Sequence, residues 1–369
     1  MDHSQNPHQP LHIPPDRQSQ QSWLRRNWKL LLNAVTFIAL AIVVYALRHQ
    51  LVSTFSNIAR VNGWLLLLLI PVEALNYHAQ AKLYQNLFQI VGNKLSYKSL
   101  FRTSLELNFV NHVFPSGGAA GISYFGLSMR DGEKLTAAKA TLVQVMKLGL
   151  QFLSFEVLIV FGLLSLSIMG RVSNLTILVT ATLSTLLLVG TMLFVYIVGS
   201  RERINSFFTI VTRGLNKIIQ LVRPRHPETI NIDNARHVFD DFHTNYNEIR
   251  ANYRRLYAPF WWAFLANFTE VLAVYVVYLA FGKYINFGAV IIAYAVANFA
   301  GLVSILPGGV GIYEGLMTAV MASAGVSPGV SLPVTIMYRV LNTLIQIPPG
   351  YYLYQKTLRA GRRLPDATR

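Results

Sequence analysis

Charged side chains occur inside segments of this sequence that are otherwise apolar, and their chemistry suits a charged ligand. Lys147 and Arg339 each lie within a long apolar run, and Glu73 and Glu314 lie within two others. An ionisable residue in hydrocarbon costs about 2.5 to 3.5 kcal/mol on insertion scales, so it usually faces a protein interior. The cations suit a phosphate. Glu73 fits a proton or headgroup ligand and, equally, a structural carboxylate with a partner.

Two of the apolar segments are broken by a proline followed by glycines. Proline removes a backbone donor and stops a helix, while glycines permit unusual dihedral angles. In a membrane such a break is tolerated only inside protein or beside a polar cavity, and the helix that follows it presents free amides to an anion. The residues concerned are Pro115, Gly117 and Gly118 in the first break and Pro307, Gly308 and Gly309 in the second.

The two breaks are followed at equal spacing by a cation. From Pro115 to Lys147 is 32 positions, and from Pro307 to Arg339 is also 32. Paired interrupted segments in corresponding positions of two halves indicate a transporter binding site, although two unrelated loops would give the same pattern. Polar residues share a helix face with each cation: Gln151 and Ser154 with Lys147, and Asn342, Thr343 and Gln346 with Arg339.

The composition is that of an integral membrane protein. Hydrophobic residues make up 53% of the chain and charged residues 13%, and several apolar runs approach the roughly 20 residues that cross a bilayer. The 32 Lys+Arg against 16 Asp+Glu indicate orientation and anionic headgroups rather than nucleic acid. With no cysteine, disulfides and thiol catalysis are excluded, and we expect neither metal nor cofactor.

The pattern of apolar runs predicts an all-α, polytopic helical bundle with two broken hairpins as an inverted repeat. We expect a disordered tail at 1–21, a transmembrane domain at 22–355 with a cytoplasmic amphipathic segment at 201–257, and a basic tail at 356–369. Basic residues place both termini in the cytoplasm, at the inner or plasma membrane. The first hairpin, with arms at 105–113 and 117–128, is predicted to be re-entrant, and the second, at 287–325, is either re-entrant or fully crossing. Spans are predicted at 30–47, 64–83, 142–164, 175–198, 260–282 and 332–354.

The second break belongs to a longer motif, LPGGVGIYE, which ends at Glu314 and is followed 24 residues later by Tyr338 and Arg339. This pattern resembles the flippase-like transmembrane family of lysylphosphatidylglycerol synthases. The first half departs from it, with Ile122 and Gln144 where many relatives carry glutamate. Bifunctional relatives carry a soluble aminoacyltransferase domain after the membrane region, and since this chain ends at Arg369 we expect no enzyme activity.

The resemblance implies lipid translocation between leaflets, of an anionic or aminoacyl phospholipid or a polyprenyl-linked lipid. Its partners would be membrane lipids with anionic headgroups. The alternatives are an ion-coupled transporter of a soluble solute and a non-transporting assembly partner. A membrane enzyme lacks support, since no metal-ligand cluster or nucleophile elbow accompanies the carboxylates. The candidate substrate ligands are the six break residues together with Glu73, Lys147, Gln151, Glu314, Tyr338, Arg339 and Asn342.

Overall fold

The computed structural model describes residues 61–113, 137–168, 174–200, 253–303 and 311–359, with isolated positions between 38 and 52 and between 202 and 206. The chain forms two compact units, Met1–Tyr45 and Ala46–Arg369, and every helix below belongs to the second. Both terminal tails, both Pro/Gly breaks and nearly all of the segments predicted at 30–47 and 201–257 lie outside the described residues.

Every regular element in these ranges is helical, which confirms the predicted all-α class. A 3-10 turn, Tyr253–Leu256, precedes the sixth α-helix. The helices are α1 Gly63–Leu66, α2 Leu69–Ile90, α3 Tyr97–Val113, α4 Ala137–Ile168, α5 Asn174–Val198, α6 Tyr257–Ala280, α7 Phe287–Val303, α8 Ile312–Ser323 and α9 Pro328–Arg359.

Three described helices are long and apolar enough to cross a membrane. Their apolar segments are Leu142–Ile168, Arg254–Ala280 and Pro328–Thr357, which coincide with spans predicted from the sequence. The span predicted at 64–83 does not coincide with the bounds of one helix. There the Asn62 side chain accepts a hydrogen bond from the Trp64 N–H at 3.1 Å and caps the separate short helix α1, so α2 begins only at Leu69 and continues to Ile90.

The described helices follow a similar order in the two halves, although α8 has no described counterpart in the first half. Helices α2 and α6 both end at a glycine in the left-handed region, Gly92 with φ 82° and Gly282 with φ 68°, as in the common C-terminal helix caps. Each is followed by a 17-residue helix, α3 or α7, then by a Pro/Gly break and later by a 32-residue helix, α4 or α9. The opposed membrane orientation of the two halves stays a prediction.

The helices beside the breaks differ from the predicted arms in length. Helix α3 begins at Tyr97 instead of 105, and its 17 residues extend about 25 Å at 1.5 Å per residue. Helix α8 has 12 residues and extends about 18 Å, well short of a hydrocarbon core of about 30 Å. The length of α8 favours a re-entrant second hairpin.

Small residues allow close packing of the helices that carry the polar side chains. A Cβ built on Gly350 of α9 would lie 2.7 Å from the Leu105 carbonyl oxygen of α3 and 2.6 Å from the Phe109 Cβ. The backbones of α3 and α9 therefore meet at this glycine. By contrast, α5 leaves Leu178, Leu186 and other aliphatic side chains exposed, as a lipid-facing helix would.

Candidate functional site

A buried ion pair joins the start of α8 to the middle of α9. Arg339 Nη1 donates to Glu314 Oε1, and the two side chains are only 14% and 6% exposed. Glu314 stands in the first turn of α8, where its Oε2 accepts the Gly311 N–H at 2.6 Å. The guanidinium carbon lies 4.9 Å from the centre of the Tyr313 ring, within cation–π distance. The motif residues predicted to bind ligand are thus bonded to one another.

Lys147 of α4 has a different environment, made of neutral groups on α2. Its Nζ donates to the Tyr84 hydroxyl at 3.0 Å and to Gln80 Oε1 at 3.2 Å, and it lies 4.6 Å from the centre of the Tyr84 ring. The Tyr84 hydroxyl donates onward to Gln144 Oε1 at 3.1 Å. No carboxylate in the described ranges forms an ion pair with this ammonium group.

Glu73 of α2 is the most deeply buried of the predicted ligands that the structure describes, with a residue exposure of 2%. Its Oε2 accepts a hydrogen bond from Gln346 Nε2 of α9 at 3.0 Å. The same amide nitrogen donates to Asn342 Oδ1 at 2.9 Å, and Gln346 Oε1 accepts from Asn108 Nδ2 of α3 at 2.8 Å. Asn108 also donates to the Tyr77 hydroxyl at 2.6 Å. Glu73 Oε1 is buried and has no hydrogen-bond donor among the described residues.

A second set of buried hydrogen bonds involves Glu270 and Thr269 of α6. The Tyr294 hydroxyl of α7 donates to Glu270 Oε2, and Asn76 Nδ2 of α2 donates to the Thr269 hydroxyl at 3.0 Å. Gln80 donates to Asn76 Oδ1 at 2.7 Å, which connects this group to Lys147. We call the whole set the interior network. Its charged and amide members are Glu73, Asn76, Gln80, Asn108, Lys147, Glu270, Glu314, Arg339, Asn342 and Gln346.

Two other predicted ligands have their own positions in the site. Tyr338 lies at the junction of the two parts of the network, where its hydroxyl accepts from Asn342 Nδ2 at 3.3 Å and its ring meets Tyr294 edge-on, with 6.5 Å between centres. Gln151 is held instead through its main-chain carbonyl, which accepts from Asn267 Nδ2 at 2.9 Å. The six break residues lie outside the described part of the chain.

Sequence reasoning selected Glu73 but missed the neighbours that complete its face of α2. Asn76 and Gln80 follow it at offsets of three and seven, which is the spacing of one helix face. That signal was present in the sequence. Asn108 and Glu270 carry no such local signal, because their roles depend on how α3 and α6 pack against α2.

Together these features define a polytopic helical membrane protein with a charged and hydrogen-bonded interior. The chain matches the family described as the lysylphosphatidylglycerol synthase TM region over residues 31–350, and it belongs to that family. The resemblance expected from the LPGGVGIYE motif is confirmed.

Curated relatives share shorter stretches. Two matches are to proteins named UPF0104 membrane protein from Methanothermobacter thermautotrophicus, one 34% identical over 22% of this chain and 24% of the relative, the other 32% identical over 26% and 29%. A UPF0104 membrane protein from Pyrococcus horikoshii is 25% identical over 31% of this chain and 35% of the relative. The chain thus matches about a quarter to a third of the length of each.

Proposed function

We propose that this protein is a lipid translocator of the cell membrane, which moves an anionic or aminoacyl phospholipid or a polyprenyl-linked lipid between leaflets. The proposal rests on the environment of Lys147, whose charged side chain lies within a helix long and apolar enough to span the membrane. In the described ranges its ammonium group bonds only to neutral oxygens. Moving a headgroup through hydrocarbon strips its polar groups of water at about 4 to 8 kcal/mol each. An interior of polar side chains lowers that barrier.

The hydrogen bonds of Lys147 leave room for a phosphate. An ammonium group has three N–H donors. Tyr84 and Gln80 accept two of them, and the third has no hydrogen-bond partner in the described ranges. Because the charge is also without an ion-pair partner there, a phosphate oxygen would both complete the hydrogen bonds and neutralise the lysine.

Arg339 is proposed as a second, competing ligand. In the present arrangement its guanidinium is bonded to Glu314, but Glu314 also accepts the Gly311 N–H and keeps that bond if the arginine turns away. A guanidinium binds a phosphate through two parallel hydrogen bonds, which favours such an exchange. For an aminoacyl headgroup, the released Glu314 carboxylate would suit the amine.

The experiment is a leaflet-exchange assay on the purified full chain in phosphatidylcholine vesicles that contain a trace of fluorescent phosphatidylglycerol. An impermeant reductant bleaches label in the outer leaflet only, so translocation appears as continued bleaching beyond the outer-leaflet share. Bleaching that stops at the level of protein-free vesicles would overturn the proposal. Uptake of soluble solutes by the same vesicles, without lipid exchange, would instead support the ion-coupled solute transporter.

A further inference from the structure

We infer that Glu73 binds one proton when an anionic headgroup enters the interior network and releases it when the headgroup leaves, which couples lipid movement to a proton gradient. The inference rests on the proposed lipid translocation and names its coupling ion. It concerns the most deeply buried of the described predicted ligands, whose Oε2 accepts a hydrogen bond and whose Oε1 has no hydrogen-bond donor among the described residues.

Neither Gln346 nor Asn108 can supply a donor to Glu73 Oε1 without breaking another hydrogen bond. Both N–H groups of Gln346 are used, one on Glu73 and one on Asn342. Both N–H groups of Asn108 are also used, one on Tyr77 and one on Gln346. A buried ionised carboxylate with an unsatisfied oxygen is unfavourable, so the added negative charge of a phosphate tips Glu73 from the ionised to the protonated form.

The charged groups around Glu73 include a second acid. Helix α2 packs against α3, α4, α6 and α9. The described acid whose like charge acts on Glu73 is Glu270, and the charge of Lys147 acts on Glu270. No described cation forms an ion pair with Glu73. The described groups that interact electrostatically with Glu73 are Glu270 on α6, Tyr77 on α2 and Tyr338 on α9. Further titratable or charged groups on the packed helices are His112 on α3, Lys147 on α4 and Arg339 on α9.

The charge balance of the network connects proton binding to headgroup binding. Its described members include three carboxylates, Glu73, Glu270 and Glu314, and two cations, Lys147 and Arg339. With all of them ionised the network carries one excess negative charge, and a phosphate adds more. Protonation of Glu73 offsets the phosphate, and because coupling is reciprocal, protonation also strengthens phosphate binding.

The chemical step is a proton transfer alone. An O–H bond forms at Glu73 Oε1 with a proton taken from water on one side of the membrane. The bond breaks when the proton passes to water on the other side. No bond of the lipid changes and no electron is transferred. Because Glu73 takes up the proton as the headgroup enters and releases it as the headgroup leaves, the lipid and the proton move in the same direction.

The first test needs no transport. Purified full-length protein in weakly buffered detergent receives short-chain phosphatidylglycerol while a pH indicator follows the bulk solution. We expect uptake of up to one proton per bound lipid, loss of that uptake in Glu73→Gln, and wild-type uptake in the matched control Glu202→Gln, whose side chain is exposed. Glutamine keeps an oxygen for Gln346 but cannot titrate. Wild-type lipid binding without proton uptake, or equal uptake by Glu73→Gln, overturns the inference.

A second measurement tests the inference even if the protein does not bind short-chain phosphatidylglycerol in detergent. Infrared spectra of the protein in phosphatidylcholine and phosphatidylglycerol vesicles should contain the C=O band of a protonated carboxyl group, which Glu73→Gln lacks and Glu202→Gln retains. Absence of that difference at every pH overturns the inference whether or not lipid moves.

A transport measurement distinguishes failure of this inference from failure of the proposed function. In vesicles with an imposed pH gradient, full coupling of one proton to one lipid would shift the leaflet distribution of labelled phosphatidylglycerol about tenfold per pH unit. In Glu73→Gln the ratio of rates with and without the gradient should fall to one. If wild-type translocation does not depend on the pH gradient, or depends on a sodium gradient instead, the proton site is refuted but the proposed translocation is not. No wild-type translocation at all refutes both.

Discussion

Arg339 of α9 and Glu314 of α8 form a buried ion pair whose carboxylate is also held by the Gly311 N–H at 2.6 Å. The two residues are 25 positions apart and connect the helix after the second break to the long helix that follows. The structure therefore gives Arg339 a carboxylate partner, whereas Lys147, its counterpart in the first half, has neutral partners in the described ranges.

The ion pair predicts a specific pattern of stability. Changing either Glu314 or Arg339 to glutamine leaves a buried charge and should lower the free energy of unfolding by about 3 to 5 kcal/mol. The double change should restore most of that loss, because two neutral amides can bond to each other. Thermal unfolding in detergent measures this, with the exposed Arg255→Gln as the control. Full lipid translocation by a stable double variant would rule out Arg339 as a phosphate ligand.

Lys147 should determine the affinity for anionic lipid. Lys147→Gln removes a charged hydrogen bond worth about 1.5 to 3 kcal/mol, which corresponds to roughly tenfold to a hundredfold weaker binding of phosphatidylglycerol. Lys147→Arg should retain most of the affinity. The matched control is Lys98→Gln, since Lys98 is exposed at the start of α3. Native mass spectrometry of the bound lipid is the measurement, and equal binding by Lys147→Gln and Lys98→Gln would contradict the assignment.

The contact between α3 and α9 predicts an effect of volume alone. Gly350→Ala places a methyl group 2.6 Å from the Phe109 Cβ and should destabilise the protein by about 1 to 3 kcal/mol. Gly329→Ala lies on the same helix with nothing within 4 Å, so it should be neutral or slightly stabilising. The midpoints of thermal unfolding compare the two. Equal midpoints would mean that α3 and α9 do not meet closely at this glycine.

The distribution of basic residues predicts the topology. Single cysteines introduced at Ser4, Asn231 and Thr368 of this cysteine-free chain should react with an impermeant thiol reagent only from the cytoplasmic side. All three positions lie outside the described residues, so the labels test the membrane arrangement independently. Reaction of the cysteine at 231 from the outside of intact cells would reverse the predicted orientation.

The sequence predicted the helices better than their ends. Apolar runs are long and unambiguous, so the spans that include α4, α6 and α9 were found. The sequence did not predict that α3 begins at Tyr97, because Lys98 and Arg102 interrupt the apolar pattern there. In the structure the Ser96 hydroxyl accepts the Ser99 N–H at 3.2 Å, as at a helix start, and Arg102 bonds to Glu106 one turn further on.

For the candidate site as well, the sequence could predict some contacts and not others. Glu314 and Arg339 could be paired from a motif, since only 24 residues separate them. The partners of Lys147 could not be predicted, because Gln80 and Tyr84 lie 67 and 63 positions away and meet it only through the packing of α2 against α4. The link from Glu73 to Gln346 spans 273 positions and depends on the assembled bundle.

We propose that the interior network passes a lipid headgroup between leaflets. The most direct test of this proposal is the initial rate of fluorescent phosphatidylglycerol translocation in vesicles, compared at equal protein density for wild type, Lys147→Gln and Lys98→Gln. We expect that the translocation rates of wild type and Lys98→Gln both exceed the rate in protein-free vesicles. The rate of Lys147→Gln should be lower than wild type by roughly tenfold or more. A wild-type rate equal to that of protein-free vesicles, or a Lys147→Gln rate equal to wild type, would contradict the proposal.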